Sequence, residues 1–405
     1  MKKIVLITTG QPCTNPRIVK EADALHAAGY DVTVLYCFFI NWAYEKDILL
    51  LQKVPWKYKM LGGSPFEKKK IYLLSRIRCK AAGKFIRFLG HSFLFAERTQ
   101  ARAYDELLHF AKKIKADWYI GHNLGALAVA VNAAKYNNAS AGFDFEDYYR
   151  GELPPNDKNN LKRVAWLENK YLPGLEYYSS SSEMIAAAVK KDHPHFIGKT
   201  VTLLNCFPLA QQPVFKEKAL SDDTLRLFWF SQTIGNNRGL EILLEALILL
   251  DDASIYLTLA GRCNEDMNEF IKVKFAEIVN NINFAGIIQP EDLPSFASQF
   301  DVGMAIEMQK PLNRNFCLTN KIFTYLLAGN AIIFSETTMQ EIFNISYKVG
   351  ESFKPNDTHE LAEKIKYYKN YRILNKQKYY NYQIAKSTLN WDLESKKLIG
   401  LLKRL

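Results

Sequence analysis

Residues 2–36 read KKIVLITTGQPCTNPRIVKEADALHAAGYDVTVLY. KKIVLITTG is an apolar, β-branched run that stops at a glycine, the pattern of a buried strand. Asn15 is a good N-cap, and Pro16 suits the first helical position. Ile18, Ala22, Leu25 and Ala28 then recur at helical spacing, Gly29 closes the helix, and YDVTVLY forms a second strand. A β-α-β unit implies a parallel sheet covered by helices. The crossover lacks G-x-G-x-x-G and G-x-x-x-x-G-K-[ST], which removes a dinucleotide fingerprint and a P-loop. Arg17 lies in the first helical turn, where the macrodipole disfavours a cation. That position implies either an anionic neighbour or an exposed arginine.

Outward from this unit the alternation continues. ADWYIGHN (116–123) is a strand that runs into LGALAVAVNAAKY as a helix. AGFDFEDYY (141–149) carries Asp144, Glu146 and Asp147 at the end of a short strand, and KTVTLLNCFPL closes the half. Each strand ends in small or polar residues, and ligands of open parallel sheets bind at that carboxyl edge. His122, beside Gly121, is either a cleft residue or a histidine packed under a loop. The carboxylates at 144–147 serve either as solvated or helix-capping groups or in a site.

Residues 206–224 replace this periodicity with proline, glutamine and charge, and read as an interdomain linker. The pattern then restarts: LRLFWFSQTIG is a strand, NNRGLEILLEALILL a helix, ASIYLTLAGRC a strand and EDMNEFIKVKFAEIV a helix. INFAGII, DVGMAIE and NAIIFSE add strands, and EMQKPLNRNFCL reads as a long irregular loop. In SQTIGNNRGLEIL a strand turns through Gly235 into a helix with Arg238 and Gly239 at its start, an arrangement that suits a diphosphate. In TNKIFTYLLAG (319–329), Ile322, Phe323, Leu326 and Leu327 share one helical face, while Asn320, Lys321 and Thr324 share the other. That polar trio is either a solvated edge or a site wall.

The chain has 405 residues, 48% hydrophobic and 23% charged. This suits a globular protein of about two domains at roughly 100–200 residues each. No apolar run approaches the ~20 residues that span a bilayer, and the N-terminus reads as a strand rather than a targeting segment. A cytoplasmic protein follows. The six cysteines (13, 37, 79, 206, 263, 317) show no metal or disulfide spacing and read mostly as small buried residues. HPH at 193–195 is an isolated pair in an expected surface loop. The net charge is +11, and residues 68–102 alone hold ten Lys/Arg against one Glu. No nucleic-acid module accompanies this charge.

The order of these pieces resembles glycosyltransferase family 4, the "glycosyl transferases group 1" enzymes. The resemblance covers nearly the whole chain. It is carried by NPRIVKEADALHAAGYDVTVL, GHNLGALAVAVNAAK, SSSSEMIAAAV, GNNRGLEILLEAL, FDVGMAI, TNKIFTYLLAG-NAII and the tail NWDLESKKLIGLL. It implies an α/β chain of GT-B fold: two Rossmann-like, doubly wound domains facing a central cleft. Residues 1–205 would be the acceptor domain and 225–387 the nucleotide-sugar donor domain, with a C-terminal helix at about 388–405 crossing back to the first.

The resemblance also implies a reaction and its residues. A sugar would pass from a nucleotide-diphosphate-sugar to a saccharide or lipid-linked saccharide, with retention, without metal or other cofactor, in cell-surface polysaccharide or glycoconjugate synthesis. A GT-B sugar-nucleotide epimerase, or a binding homologue of weakened catalysis, is the alternative. Gly235, Arg238, Gly239, Asn320 and Lys321 would hold the donor, His122 would face the reacting sugar, and Gly10, Arg17 and Asp144 would meet the acceptor. The family's two donor glutamates fall on Thr324 and Phe316. A threonine hydroxyl cannot replace a carboxylate that takes two ribose hydroxyls, and Glu307 is the nearest alternative.

EKKKIYLLSRIRCKAAGKFIRFLGHSFLF mixes basic residues with an apolar stripe of Tyr72, Leu73, Ile77, Ala81, Phe85 and Phe88. Such a helix either lies on an anionic membrane surface, peripheral on the inner face of the cell membrane, or packs on the first domain.

Overall fold

Residues 1–235 and 238–405 are described by a computed structural model. Their contacts divide the chain into two units, residues 1–203 with 395–405 and residues 204–394. The first unit holds β1 (Lys3–Thr8), β2 (Asp31–Cys37), β3 (Lys57–Leu61), β4 (Trp118–His122), β5 (Ser140–Phe145), β6 (Tyr177–Ser180) and β7 (Lys199–Thr202). The order is β3-β2-β1-β4-β5-β6-β7, all parallel. Apolar side chains on both faces of β1 are buried, as a doubly covered parallel sheet requires. The sheet reverses direction of growth between β1 and β4, which makes the carboxyl ends of these two strands the switch point.

The first helix runs Pro16–Ala27, and the Asn15 side chain accepts from Ile18 N at 3.2 Å. Ala28 is its C-cap and exposed, not a core position, because the helix has already ended. The C-terminal helix, Trp391–Arg404, places Leu398, Leu401 and Leu402 in the same core as Ile4, Leu6 and Val34.

The second unit holds β8 (Leu225–Thr233), β9 (Ile255–Arg262), β10 (Ile282–Gly286), β11 (Val302–Ala305), β12 (Ala331–Ser335) and β13 (Gly350–Phe353). Their order, β10-β9-β8-β11-β12-β13, puts a second switch point between β8 and β11. Gly303 on β11 has no side chain because the Tyr325 ring lies there, with a built Cβ only 2.2 Å from it. The Tyr325 hydroxyl donates to Phe228 O at 3.0 Å, so the Asn320–Ala328 helix is seated directly on the sheet. Asn330 and Asn381, both buried, tie the far end of that helix to Ala297, Phe300 and Val349 carbonyls.

Some expectations change. The stretch read as a long irregular loop contains a helix at Leu312–Phe316. The helix expected at EDMNEFIKVKFAEIV stops at Lys274, and a 3-10 helix follows at Ala276–Asn281. The helix of NNRGLEILLEALILL is Leu240–Leu250; Asn236 and Asn237 lie outside the described residues. Only Cys37 and Cys206 of the six cysteines are buried, and none of the six forms a disulfide. Among the described residues no helix is long and apolar enough to cross a membrane.

Candidate functional site

Parallel pairing lines up Thr8, His122, Asp144 and Ser179 in one row across β1, β4, β5 and β6. The helix after β1 drops Arg17 onto this row. Arg17 Nε and Nη2 donate to the two oxygens of Asp144 at 2.6 and 2.8 Å, and Nη1 donates to Leu203 O at 2.8 Å. Ser179 Oγ donates to Asp144 Oδ1 at 2.6 Å. Arg17 is 0% exposed, so the anionic neighbour that its helical position implied is Asp144, and the exposed alternative falls. Asp144 is likewise fully enclosed rather than solvated or capping.

His122 is 1% exposed, with Nε2 3.5 Å from Glu21 Oε1 and Nδ1 3.6 Å from Asp144 Oδ2. Burial disfavours the charged imidazole, but Glu21 and Asp144 outweigh it, and His122 is pushed up to about 10. Burial also works against the Asp144 carboxylate; Arg17 overcomes it and holds that carboxyl well below the usual range. Arg17, Glu21, His122 and Asp144 thus form an enclosed quartet of balanced charge. This is the packed alternative for His122, and it puts Arg17, His122 and Asp144 together beneath the carboxyl edge. Glu21 was missed by the sequence reading. Its signal was spacing: it follows Arg17 by four residues, so both occupy one helix face.

Above this row the edge is built by polar loops. Asn123 Nδ2 donates to Thr8 Oγ1 at 2.8 Å, and Thr9 Oγ1 donates to Asn123 Oδ1 at 2.6 Å. Gly10 is partly exposed between these groups, and its carbonyl accepts from Cys37 N at 3.1 Å. Gln11 Nε2 donates to Asp47 Oδ2 at 2.8 Å and Gln11 Oε1 accepts from Ile40 N at 2.7 Å, which fixes the loop. Burial, and then the charge of Asp147, push Glu146 up to about 7. His193 of HPH pairs with Glu168 and Arg150. Among the described residues no group of three His, Cys, Asp or Glu could hold a metal ion.

At the second switch point the donor candidates converge. Arg238 Nη1 donates to Ser231 Oγ, near the end of β8, at 3.0 Å. Gly239 follows at φ +74°, and a Cβ there would stand 2.2 Å from Ile306 Cγ2. Only glycine fits that close left-handed turn. The next residue, Glu307, meets Lys321: Nζ to Oε1 is 2.7 Å. Ser335 Oγ accepts from Glu307 N at 2.7 Å and donates to Glu307 O at 2.8 Å, which sets the Glu307 backbone. Lys321 Nζ also lies 5.2 Å from the Trp229 ring centre. Contacts between adjoining residues therefore bring Arg238, Gly239, Glu307 and Lys321 into one neighbourhood. Gly235 is partly exposed with open space around it.

The Asn320–Ala328 helix is not a solvated edge. Lys321 is 7% exposed and Thr324 0%, and only Asn320 stays exposed. Thr324 Oγ1 donates to Asn320 O at 2.9 Å, inside its own helix. The carboxylate that reaches Lys321 is Glu307. Phe316 lies at the end of the short Leu312–Phe316 helix, partly buried.

Helix ends set the local potential. The helices at Glu265–Lys274, Thr338–Tyr347, Thr358–Tyr367 and Tyr371–Ser387 are capped by side chains of Asn264, Thr337, Asp357 and Asn370. The helices entered through Gly239 and Thr319 have no side-chain cap. Their first N–H groups keep the partial positive charge of a helix start. Thr319 Oγ1 and Trp229 Nε1 are buried without a hydrogen-bond partner. Two uncapped helix starts, each with a cation in or beside its first turn, can hold an anion of two linked phosphates.

No protein-family model matches the chain, and no curated protein matches its sequence. Solved structures do match. The Anabaena protein HepE, solved with UDP, is 15% identical with a TM-score of 0.69, covering 100% of both chains. Sucrose-phosphate synthase from Thermosynechococcus elongatus is 13% identical with a TM-score of 0.70, covering 100% of this chain and 99% of that one. A glycosyltransferase from Rickettsia africae is 13% identical with a TM-score of 0.69, covering 100% and 98%. At such identities the likeness is one of fold. Two parallel Rossmann-like sheets and these neighbours give the chain the GT-B glycosyltransferase fold, the fold that the resemblance to family 4 implies.

Proposed function

We propose that the chain transfers a sugar from a nucleotide-diphosphate-sugar to a saccharide or lipid-linked saccharide, with retention of configuration, in the assembly of a cell-surface polysaccharide or glycoconjugate. The observation that carries this reading is the second switch point, where Arg238, Lys321 and two uncapped helix starts converge. Transfer requires stabilisation of the negative charge that grows on the departing diphosphate. Arg238, Lys321 drawn from Glu307, and the helix N–H groups supply that positive charge, and in this reading the reaction proceeds without a metal ion. HepE was solved with UDP-glucose, which makes UDP-glucose the first donor to test.

Within this reading Glu307 has two tasks. It neutralises Lys321 while the site is empty, and it is the carboxylate placed to accept ribose hydroxyls in place of the absent family glutamates. His122, Arg17 and Asp144 act as positioning residues: their ion pairs hold the acceptor-side edge at Thr8, Gly10 and Asn123 in shape.

Isothermal titration with UDP and GDP, followed by turnover of the matching sugar nucleotides, tests the proposal. Binding with slow donor hydrolysis that persists in chelator supports it. Epimerised donor without acceptor would replace transferase by epimerase, and absence of any nucleotide binding would overturn the donor site.

A further inference from the structure

The Lys69–Leu89 helix is held to the first unit by one face. Ser75 and Ala82 are buried there, Arg78 pairs with Asp105 and Glu106 at 2.6 Å, and the Arg102 guanidinium reaches Ser75 and stacks 4.7 Å over the Tyr72 ring. The opposite face carries the apolar stripe, and it points to solvent. Ile77 is 64% exposed, Phe85 51% and Phe88 83%, with Leu73 and Leu74 also exposed. Of the expected stripe, Tyr72 turns inward against Phe38 and Ala81 is partly buried. A helix that packed its apolar side on its own domain would show the reverse arrangement.

Charge is placed just as asymmetrically. At 100° per residue, Arg76, Lys80, Lys84 and Arg87 form a row along one flank of the exposed stripe, and all four are exposed. Beyond the helix Phe93 is exposed as well. Two identical faces brought together antiparallel would set these rows of like charge side by side, whereas an anionic surface complements them.

We infer that this face docks on an anionic lipid bilayer, with Ile77, Phe85 and Phe88 entering the interface and the basic row meeting lipid phosphates. Exposed aromatic and aliphatic side chains gain by leaving water, and each cation gains from the negative surface potential. The surface stands on the helix itself. Its meaning, that a lipid-linked acceptor is met at the membrane, rests on the sugar-transfer reading.

Cosedimentation of the full chain with phosphatidylcholine vesicles, with and without phosphatidylglycerol, tests this. Wild type is expected to sediment with the anionic vesicles at least tenfold more tightly than with neutral ones, and less at high salt. Ile77→Ser with Phe88→Ser should reduce binding more than tenfold. Lys80→Gln and Lys84→Gln should each reduce it about fivefold. These side chains are exposed, so the melting temperature should stay unchanged. No sedimentation of wild type, or equal sedimentation of the variants, would overturn the inference. So would a dimer, seen by sedimentation velocity, that the serine variants dissolve while vesicle binding is unaltered. UDP titration of the same samples separates the two claims: vesicle binding without UDP binding keeps the surface and removes the donor site.

Discussion

Lys321 Nζ lies 2.7 Å from Glu307 Oε1, two groups at opposite ends of the single crossover from β11 to β12. Glu307 follows β11, and Lys321 opens the helix seated on that strand. The contact closes the crossover on the β11 side of the switch point, and the Trp229 ring faces it from β8. It also means that a diphosphate must draw Lys321 from an existing partner, at a place where Trp229 already steadies the cation.

Arg238→Ala and Lys321→Ala should each lower donor turnover by about 100-fold, the usual cost of removing one charge-stabilising donor. The Arg238 side chain is partly exposed, so its variant should melt close to wild type; Lys321→Ala strips Glu307 of its partner and should melt lower while staying folded by circular dichroism. Full activity in both variants would remove the proposed diphosphate site.

Thr324→Val separates two roles of the threonine. Its hydroxyl is spent on Asn320 O within the helix, a bond that adds little to helix stability. Turnover and donor KM should therefore stay within twofold. A tenfold rise in KM would assign the hydroxyl to the donor after all.

Gly239→Ala should destabilise the second unit by about 1–2 kcal/mol for the left-handed backbone alone. Displacement of Ile306 adds to that cost and shifts the neighbouring Glu307. Urea unfolding should show the loss, and UDP affinity should fall with it. A variant with wild-type stability would contradict the close approach to Ile306.

Arg17→Met leaves Asp144 buried without its bidentate partner, at a cost of about 3–5 kcal/mol. Arg17→Met combined with Asp144→Leu should cost less than the two single changes together, because the double variant strands no pair of opposite charges. Denaturant unfolding of the four proteins gives the coupling. Strict additivity would mean that the pair contributes nothing.

His122 has its pKa raised in the folded chain from 6.5 to about 10. Its charged form is stabilised by folding, so the contribution is complete below about pH 6.5 and is lost as pH rises through about 10. Melting temperature should fall across that window. His122→Gln should flatten the decline, and parallel profiles would show that His122 is not the group responsible.

Much of the fold was legible because helix and strand periods are local. The β-α-β unit at 2–36, the helix entered at Gly239 and the helix at 320–328 all follow from spacing and caps. Short elements were not. β3 is an edge strand rich in lysine and β13 has four residues, too few for a period to show. For the candidate site, residue types pointed to the second switch point, but not to the Glu307–Lys321 pair, since fourteen residues separate them.

Sequence alone determined the two-unit α/β pattern, the basic segment and the polar positions at strand ends. Tertiary structure alone decided which of those positions meet water. A helical wheel ranks faces by polarity, yet burial depends on what packs against each face from far along the chain. That is why polar Thr324 and charged Arg17 are enclosed, while apolar Ile77 and Phe88 stand in solvent.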